Sequence, residues 1–416
     1  MTASAADSAI TVHLAITLDH LWQTARAHDH PAALWRLPSQ SEKHLIVHLG
    51  DTLTEQEPID LDERPPGFAI GLFDAPADDF AKAFYLQADR HVVLDASNRL
   101  THRHTPDTDA TRAFDEATYL TARQSTSITS PISFVEQPNP DAQAFFEETV
   151  AQAVDAMREG RFWKVVLSRT KTLEFNQEPD VITLFDRLCA AYPTAFISAV
   201  WLPEGTGGRP AQVWLSATPE RLVTIDGEGI FKTVALAGTQ SAYTSEGVMK
   251  RTADALWSQK EIEEQALVSR YIIGCFKKIR LREYLEEGPK TAQAGNLMHL
   301  CTQYTVDTKA VNFPQLGTVM LRLLHPTSAV CGMPRPEALH FIQTHERHDR
   351  GFFAGFVGPV NIDGASQLFV HIRCLSLEGK TATLYAGAGL TEDSDPQKEW
   401  LETEMKCQTL LRGMRG

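Results

Sequence analysis

Hydrophobic and polar positions along this chain follow two rhythms. Short runs rich in β-branched and aromatic residues, bounded by Gly, Pro or Asp, recur as "HLIVHLG" (44–50), "GFAIGLF" (67–73) and "RHVVLDA" (90–96). They return as "TAFISAVWL" (194–202), "AQVWLSAT" (211–218), "ERLVTID" (220–226) and "IFKTVALAGT" (230–239). Each reads as a β-strand. The second rhythm is helical. "DAQAFFEETVAQAVDAMREG" (141–160) carries Phe145, Val150, Val154 and Met157 on one stripe and stops at Gly160. Residues 253–286 read as one long helical region, and 395–412 as a closing helix with Asp395 as cap and Pro396 at its first position. "STSITSPISFVEQPNP" (125–140) reads equally as a linker or as a covering strand before a helix. Strand runs broken by long helices predict an α+β layered fold. No repeat of fixed period and no low-complexity tract interrupts it.

Composition narrows the class. With 416 residues, 43% of them hydrophobic, the chain can fill a large core, and a single domain over 1–416 is the expectation. No uninterrupted apolar stretch reaches the length of a membrane span, and "MTASAADSAITVHLAITLDH" lacks a basic segment followed by an apolar block. A cytoplasmic protein is the default expectation. Six cysteines, scattered without CxxC spacing, read as reduced packing residues. A net charge of −14 argues against a nucleic-acid surface or an anionic membrane, each of which needs a basic face. An anionic substrate would need cations supplied locally.

Several residues then stand out chemically. In "RFWKVVLSRT" (161–170), strand alternation puts Lys164, Val166 and Ser168 on one face and Val165, Leu167 and Arg169 on the other. Lys164 is either an edge lysine reaching water or a desolvated amine with a lowered pKa, fit to act as a base near neutral pH. In "SDPQKEWLETEMKCQTLL", Glu399, Glu402 and Lys406 share one helix face while Trp400, Cys407 and Leu411 share another. The acids are a solvated stripe or hard oxygen ligands of the kind Mg²⁺ prefers. Glu264 shares an inward face with Leu267, Val268 and Tyr271, Glu261 lies near that face, and Glu263 lies nearer the rim. Gly238 in "ALAGT" and Gly387 and Gly389 in "LYAGAGL" each follow a strand, as turn-makers or as places where backbone amides meet an anion. "HPTSAVCGMP" (325–334) reads first as an ordered loop, and His299 as a core histidine.

Taken in order, "KVVLSR", "LSATPERL", "ALAGT", "MHL", "LHPTSAVCGMP", "FAGFVGPV", "FVHIRC", "LYAGAGL" and "SDPQKEWLETEMK" resemble the chorismate-utilising enzymes, isochorismate synthases most closely. The likeness spans about residues 140–412. It implies two similar halves of antiparallel sheet with helices outside, holding chorismate and Mg²⁺ in a central cleft. Residues 1–134 would complete that fold, and 135–412 would carry the motifs. The resemblance makes Lys164 the base that activates water for attack at C2, and Glu220 the acid that protonates the departing C4 hydroxyl. It makes Glu264 and Glu402 metal ligands with Glu399 in the outer shell. Arg373, Lys406 and the amides near Gly387 would grip the enolpyruvyl carboxylate, Gly238 and Thr239 would also bind substrate, and His299 would lie near the ring. A lysine at position 164 sorts the chain toward water rather than ammonia as nucleophile. Salicylate synthase, which goes on to eliminate pyruvate, is the rival enzyme, and a chorismate-binding relative without catalysis is the non-enzyme rival. The family default is a monomer, and the product could feed menaquinone, a catechol siderophore or salicylate.

Overall fold

The structure is a computed structural model that describes residues 16–73, 81–104, 106–124, 131–244, 246–294 and 297–415. Among the described residues two antiparallel sheets organise it, one of 11 strands and one of 9. At one end of the larger sheet the strand Lys164–Phe175 pairs with Thr381–Leu390, which leads through Cys374–Glu378 and Gln212–Thr218 to Phe196–Leu202. Ala32–Arg36, Lys43–Val47, Arg90–Leu94 and Leu100–His104 continue the same sheet. The smaller sheet runs from Leu285–Ala294 and Leu297–Asp307 through Ile230–Ser241, Arg221–Ile225, Ser366–Val370 and Phe356–Val360. It ends in Gly67–Gly71, Lys82–Gln87 and Glu57–Pro58. Strands from the described part of the first hundred residues therefore extend both sheets by backbone pairing, Ala32–Arg36 onto Phe196–Leu202 and Gly67–Gly71 onto Phe356–Val360. The expected α+β class, with helices against two antiparallel sheets, is what the chain forms.

Burial explains why so many strands read as unbroken apolar runs. In Phe196–Leu202, Phe196, Val200 and Leu202 enter one core cluster while Ile197, Ala199 and Trp201 enter the other, so both faces are covered. The sheets meet through such side chains: Phe196 of one stacks on Phe369 of the other with ring centroids 4.2 Å apart. The second cluster lies on the far side of the larger sheet, where Leu410, Leu411 and Met414 of the last helix pack. Among the described residues no helix is long and apolar enough to cross a membrane.

Two expectations need correction, and one open alternative is resolved. The helical region expected over 253–286 is a helix only over Gln259–Lys278. Ser258 stops it at the front with a capping box, accepting from the Glu261 N–H at 3.3 Å while its own N–H reaches Glu261 Oε2 at 2.8 Å. From Leu285 the chain is already a strand, because its carbonyls and amides pair with Leu297–Asp307. In the helix Ala142–Arg158 the buried aromatic is Phe146, whereas Phe145 is half-buried beneath the Arg347 guanidinium at 3.6 Å. Of the stretch 125–140, residues 125–130 lie outside the described residues; Phe134–Glu136 is a strand on Lys164–Phe175, so this part covers rather than links.

Candidate active site

Lys164 opens an inner strand, flanked by Thr381–Leu390 on one side and by Gly332–Met333 on the other. Val165 and Leu167 enter the main core, so alternation turns Lys164, Val166 and Ser168 the opposite way. Lys164 is only 7% exposed, which excludes the edge-lysine reading. Burial pushes its amine below the ordinary lysine value, against the opposing pull of Glu264, Glu220 and Glu402 and with a push in the same direction from Lys406. Those four residues come from two helices, Gln259–Lys278 and Pro396–Arg415, and from the turn after Gln212–Thr218. One amine thus gathers residues that the sequence spreads over some two hundred and forty positions.

Glu220 is held by its own backbone. Its N–H donates to Thr218 Oγ1 at 3.2 Å, and its carbonyl accepts from the Val370 N–H at 2.9 Å, so it sits where the two sheets approach. Burial pushes its carboxyl up to about 7, partly offset by the cations Lys164, Arg373 and Lys406. A carboxylic acid and an amine therefore sit in one another's field, each moved toward the uncharged form by loss of water.

Arg373 adopts φ +50°, a left-handed conformation that a non-glycine residue rarely takes, and its carbonyl accepts from the Ala217 N–H at 3.0 Å. The turn it makes turns its guanidinium into the field of Glu402 and Glu220. Lys406 donates to the Gly387 carbonyl at 2.6 Å and pairs with Glu402 at 2.7 Å, tying the last helix to the strand beside Lys164. His299 Nδ1–H donates to the Gly238 carbonyl at 3.0 Å, and burial keeps the ring neutral, leaving Nε2 as its acceptor nitrogen. Gly238 has φ +66° and lies where a Cβ would press on Trp257 at 3.1 Å. The strand register shifts beside it, between Ala237 and Gln240. The side chain of Thr239 lies outside the described residues.

Gly389 matters for space. A Cβ there would stand 3.4 Å from Lys164 Cε and 3.8 Å from Nζ, so the glycine keeps the flank of the amine open. Gly389→Ala fits without displacing the strand but fills that flank, and a loss of at least about tenfold in kcat with an unchanged melting temperature is expected. Steady-state kinetics beside thermal unfolding checks it; full activity would mean that nothing needs the space.

The three acids are placed differently from one another. Glu264 faces Lys164, whereas Glu263 is exposed and takes a hydrogen bond from Gln259 at 2.8 Å, so Glu264 is the inward acid of that run. Glu402 also acts on Lys164. Glu399 is 4% exposed and accepts from Ser394 Oγ at 2.8 Å. Among the described residues no three His, Cys, Asp or Glu side chains come together closely enough to hold a metal between them. Glu264 and Glu402 come from two different helices and both act on Lys164; Mg²⁺ takes one or two protein carboxylates and completes its octahedron with water and substrate oxygens. Glu264 and Glu402 are thus carboxylates of the kind that ion takes.

The sequence reading missed a buried ion pair beneath this site. Glu346 accepts from the Ser168 N–H at 2.6 Å and lies 3.0 Å from Ser168 Oγ, while Arg350 clasps the same carboxylate at 2.6 and 2.8 Å. The guanidinium also donates to the carbonyls of Val166 at 2.7 Å and Val330 at 2.9 Å. His348 Nε2 stands 3.0 Å from Ser168 Oγ, but this is no nucleophile triad: the serine meets the acid directly, and Arg350 neutralises that acid. The set locks the Lys164 strand to the 325–331 loop. The one signal in the sequence is the charged run "HERHDR" ahead of the buried "GFFAGF". Arg350→Ala leaves Glu346 buried and unpaired and is expected to cost about 3–5 kcal/mol, read as a lower denaturation midpoint. A midpoint within error of the parent would refute the lock.

Comparison with known proteins places these features in context. A family model described as chorismate binding enzyme matches residues 81–415. The isochorismate synthase EntC of Escherichia coli (strain K12) is 32% identical over 281 residues, covering 67% of this chain and 69% of that protein. The isochorismate synthase DhbC of Bacillus subtilis (strain 168) is 28% identical over 279 residues, covering 67% and 69%. Among solved structures, MenF, the menaquinone-specific isochorismate synthase from Escherichia coli, superposes with a TM-score of 0.71 at 19% identity, covering 95% of this chain and 91% of that one. Anthranilate synthase component I from Streptococcus pneumoniae superposes with a TM-score of 0.64 at 18% identity, covering 92% of each. At those identities the superpositions speak for the fold.

Proposed function

This chain belongs to the chorismate binding enzymes, and on that premise we propose that it is an Mg²⁺-dependent isochorismate synthase, an isomerase that moves a hydroxyl on the chorismate ring. The observation that carries the reading is the facing pair of a buried amine pushed down and a buried carboxyl pushed up to about 7. The relatives named isochorismate synthase support the choice of reaction.

The chemistry asks for such a pair. Water attacks C2, the ring double bonds shift, and the C4 hydroxyl leaves as water, so the composition is unchanged. Lys164, uncharged, takes a proton from the attacking water, and Glu220, uncharged, gives one to the leaving oxygen. Had both groups kept their ordinary values, the amine would hold its proton and the acid would have lost its own, and neither transfer could begin. Arg373 and Lys406 supply the local positive charge that an acidic protein needs for a dianion, and Lys406 meets it already tethered to Gly387. His299, neutral, offers an acceptor rather than another charge. Glu264 and Glu402 would hold the magnesium ion, whose charge offsets the ring carboxylate when bound.

Incubating the protein with chorismate and Mg²⁺ and separating the products tests the proposal. Isochorismate is expected as the sole product, with turnover lost on chelation and restored by added Mg²⁺. Salicylate with pyruvate would replace this reading by the salicylate synthase one, anthranilate formed with ammonia would refute water as the nucleophile, and no product with intact chorismate binding would mark a non-catalytic relative.

A further inference from the structure

Behind Glu220 lies a small cavity of about 20 Å³, lined by Glu220, Val268, Tyr271, Leu324, Thr327 and Ser328 among others. It is bounded by the helix Gln259–Lys278, the strands Arg221–Ile225 and Ile230–Ser241, and the 325–331 loop. A water needs roughly 10–15 Å³ and two to four polar partners. The space suffices for one.

The walls supply the partners. Ser328 is 2% exposed, and its Oγ, like Thr327 Oγ1, is buried with no hydrogen-bond partner among the protein atoms. Neither hydroxyl is there by slack in the chain: the N–H groups of Val330 and Cys331 both donate to the Thr327 carbonyl, at 3.1 and 2.9 Å, and Arg350 holds the Val330 carbonyl. The Tyr271 hydroxyl is already committed to the Leu323 carbonyl at 2.7 Å. Two orphaned hydroxyls fixed at one cavity beside a carboxyl need something polar between them.

We infer that Thr327 and Ser328 are positioning residues for Glu220, acting through one water that their hydroxyls hold in this cavity. The inference rests on the reading of Glu220 as the acid. A hydroxyl both donates and accepts, so a water held by two of them can accept from the Glu220 O–H before proton transfer and donate to the carboxylate afterwards. It aims the acid's proton and then solvates the charge left behind. Glu220 is otherwise faced by Lys164 from its strand, Arg373 from the turn before Cys374–Glu378 and Lys406 from the last helix, with Arg221 also lining the cavity. Removing both hydroxyls would take away the partners that hold the water, leave the carboxylate without its donor, and make Glu220 hold its proton more tightly.

The test is the double variant Thr327→Val, Ser328→Ala, with Thr327→Ser as the conservative control and thermal unfolding to show that each is folded. An infrared titration of the substrate-free protein follows the Glu220 carboxyl, identified as the band missing in Glu220→Gln. Its midpoint is expected to rise by about half a pH unit or more in the double variant and to stay in Thr327→Ser. At pH 7, kcat should fall at least about threefold with KM within about twofold. A crystal structure of the parent should place a single water within hydrogen-bond distance of both hydroxyls and Glu220. An unmoved midpoint, or a cavity without that water, overturns the inference; a large rise in KM with an unmoved midpoint puts the hydroxyls on the substrate instead. If Glu220→Gln kept full turnover while the midpoint moved, the water would stand and the role of Glu220 as the acid would fall.

Discussion

Replacing Lys164 with alanine is expected to lower kcat by a factor of about 10²–10⁴, with KM for chorismate changed only by about a few-fold. The side chain is buried, but its strand is held by pairing on both sides and by Val165 and Leu167 in the core, so the fold should survive its truncation. Lys164→Arg separates two roles. Arginine keeps the positive charge but cannot shed its proton near neutral pH, so a base is lost while an electrostatic anchor is retained. Arginine is therefore expected to be as inactive as alanine. Turnover rescued by arginine would mean that Lys164 only binds.

Glu220→Gln is expected to cost a similar factor, about 10²–10⁴ in kcat, because the amide fills the space of the carboxyl but has no proton of comparable acidity. The same residue sets the pH dependence. Glu220 must carry its proton to act, and in the free protein burial holds it at about 7, so kcat/KM should fall as pH rises through about 7. The sign is the reverse of an ordinary carboxylate requirement, where activity would rise with pH through about 4. A bound dianion makes losing that proton harder, so the falling limb of kcat should lie at higher pH than that of kcat/KM. Lys164 contributes the opposite sign: as the base it must be uncharged, so its share of the activity rises with pH as it sheds its proton. A kcat/KM profile flat between about pH 6 and pH 9 would contradict the assignment of Glu220.

Local features carried much of this from the sequence. The strand runs 194–202, 211–218, 220–226 and 230–239 all appear, because each is an apolar run ended by residues that turn the chain. Lys164, Glu264, Glu402 and Lys406 were legible because period 2 in a strand and period 3.6 in a helix fix which neighbours share a face. Periodicity could not say that those faces meet. Their meeting at Lys164, with Glu220 beside them, is a property of how the two sheets close. The misjudged helix end at 278–285 has a local cause: "LREYLEEGPK" has a composition compatible with helix, and only pairing with Leu297–Asp307 makes it a strand. Ser168 and Glu346 are 178 positions apart, and neither residue type in its own segment announces a partner. The orphaned hydroxyls of Thr327 and Ser328 were invisible for the same reason, since an unsatisfied donor is a fact about surroundings.

The central claim is that burial holds the Lys164 amine below the ordinary lysine value and so readies it to act as a base. Lysines labelled with ¹³C at Cε, titrated by heteronuclear NMR with Lys164→Met to identify the signal, measure this without reference to turnover. A Lys164 midpoint well below the ordinary value of about 10.4 is predicted. A midpoint at or above that value would leave the site without its base and contradict the account.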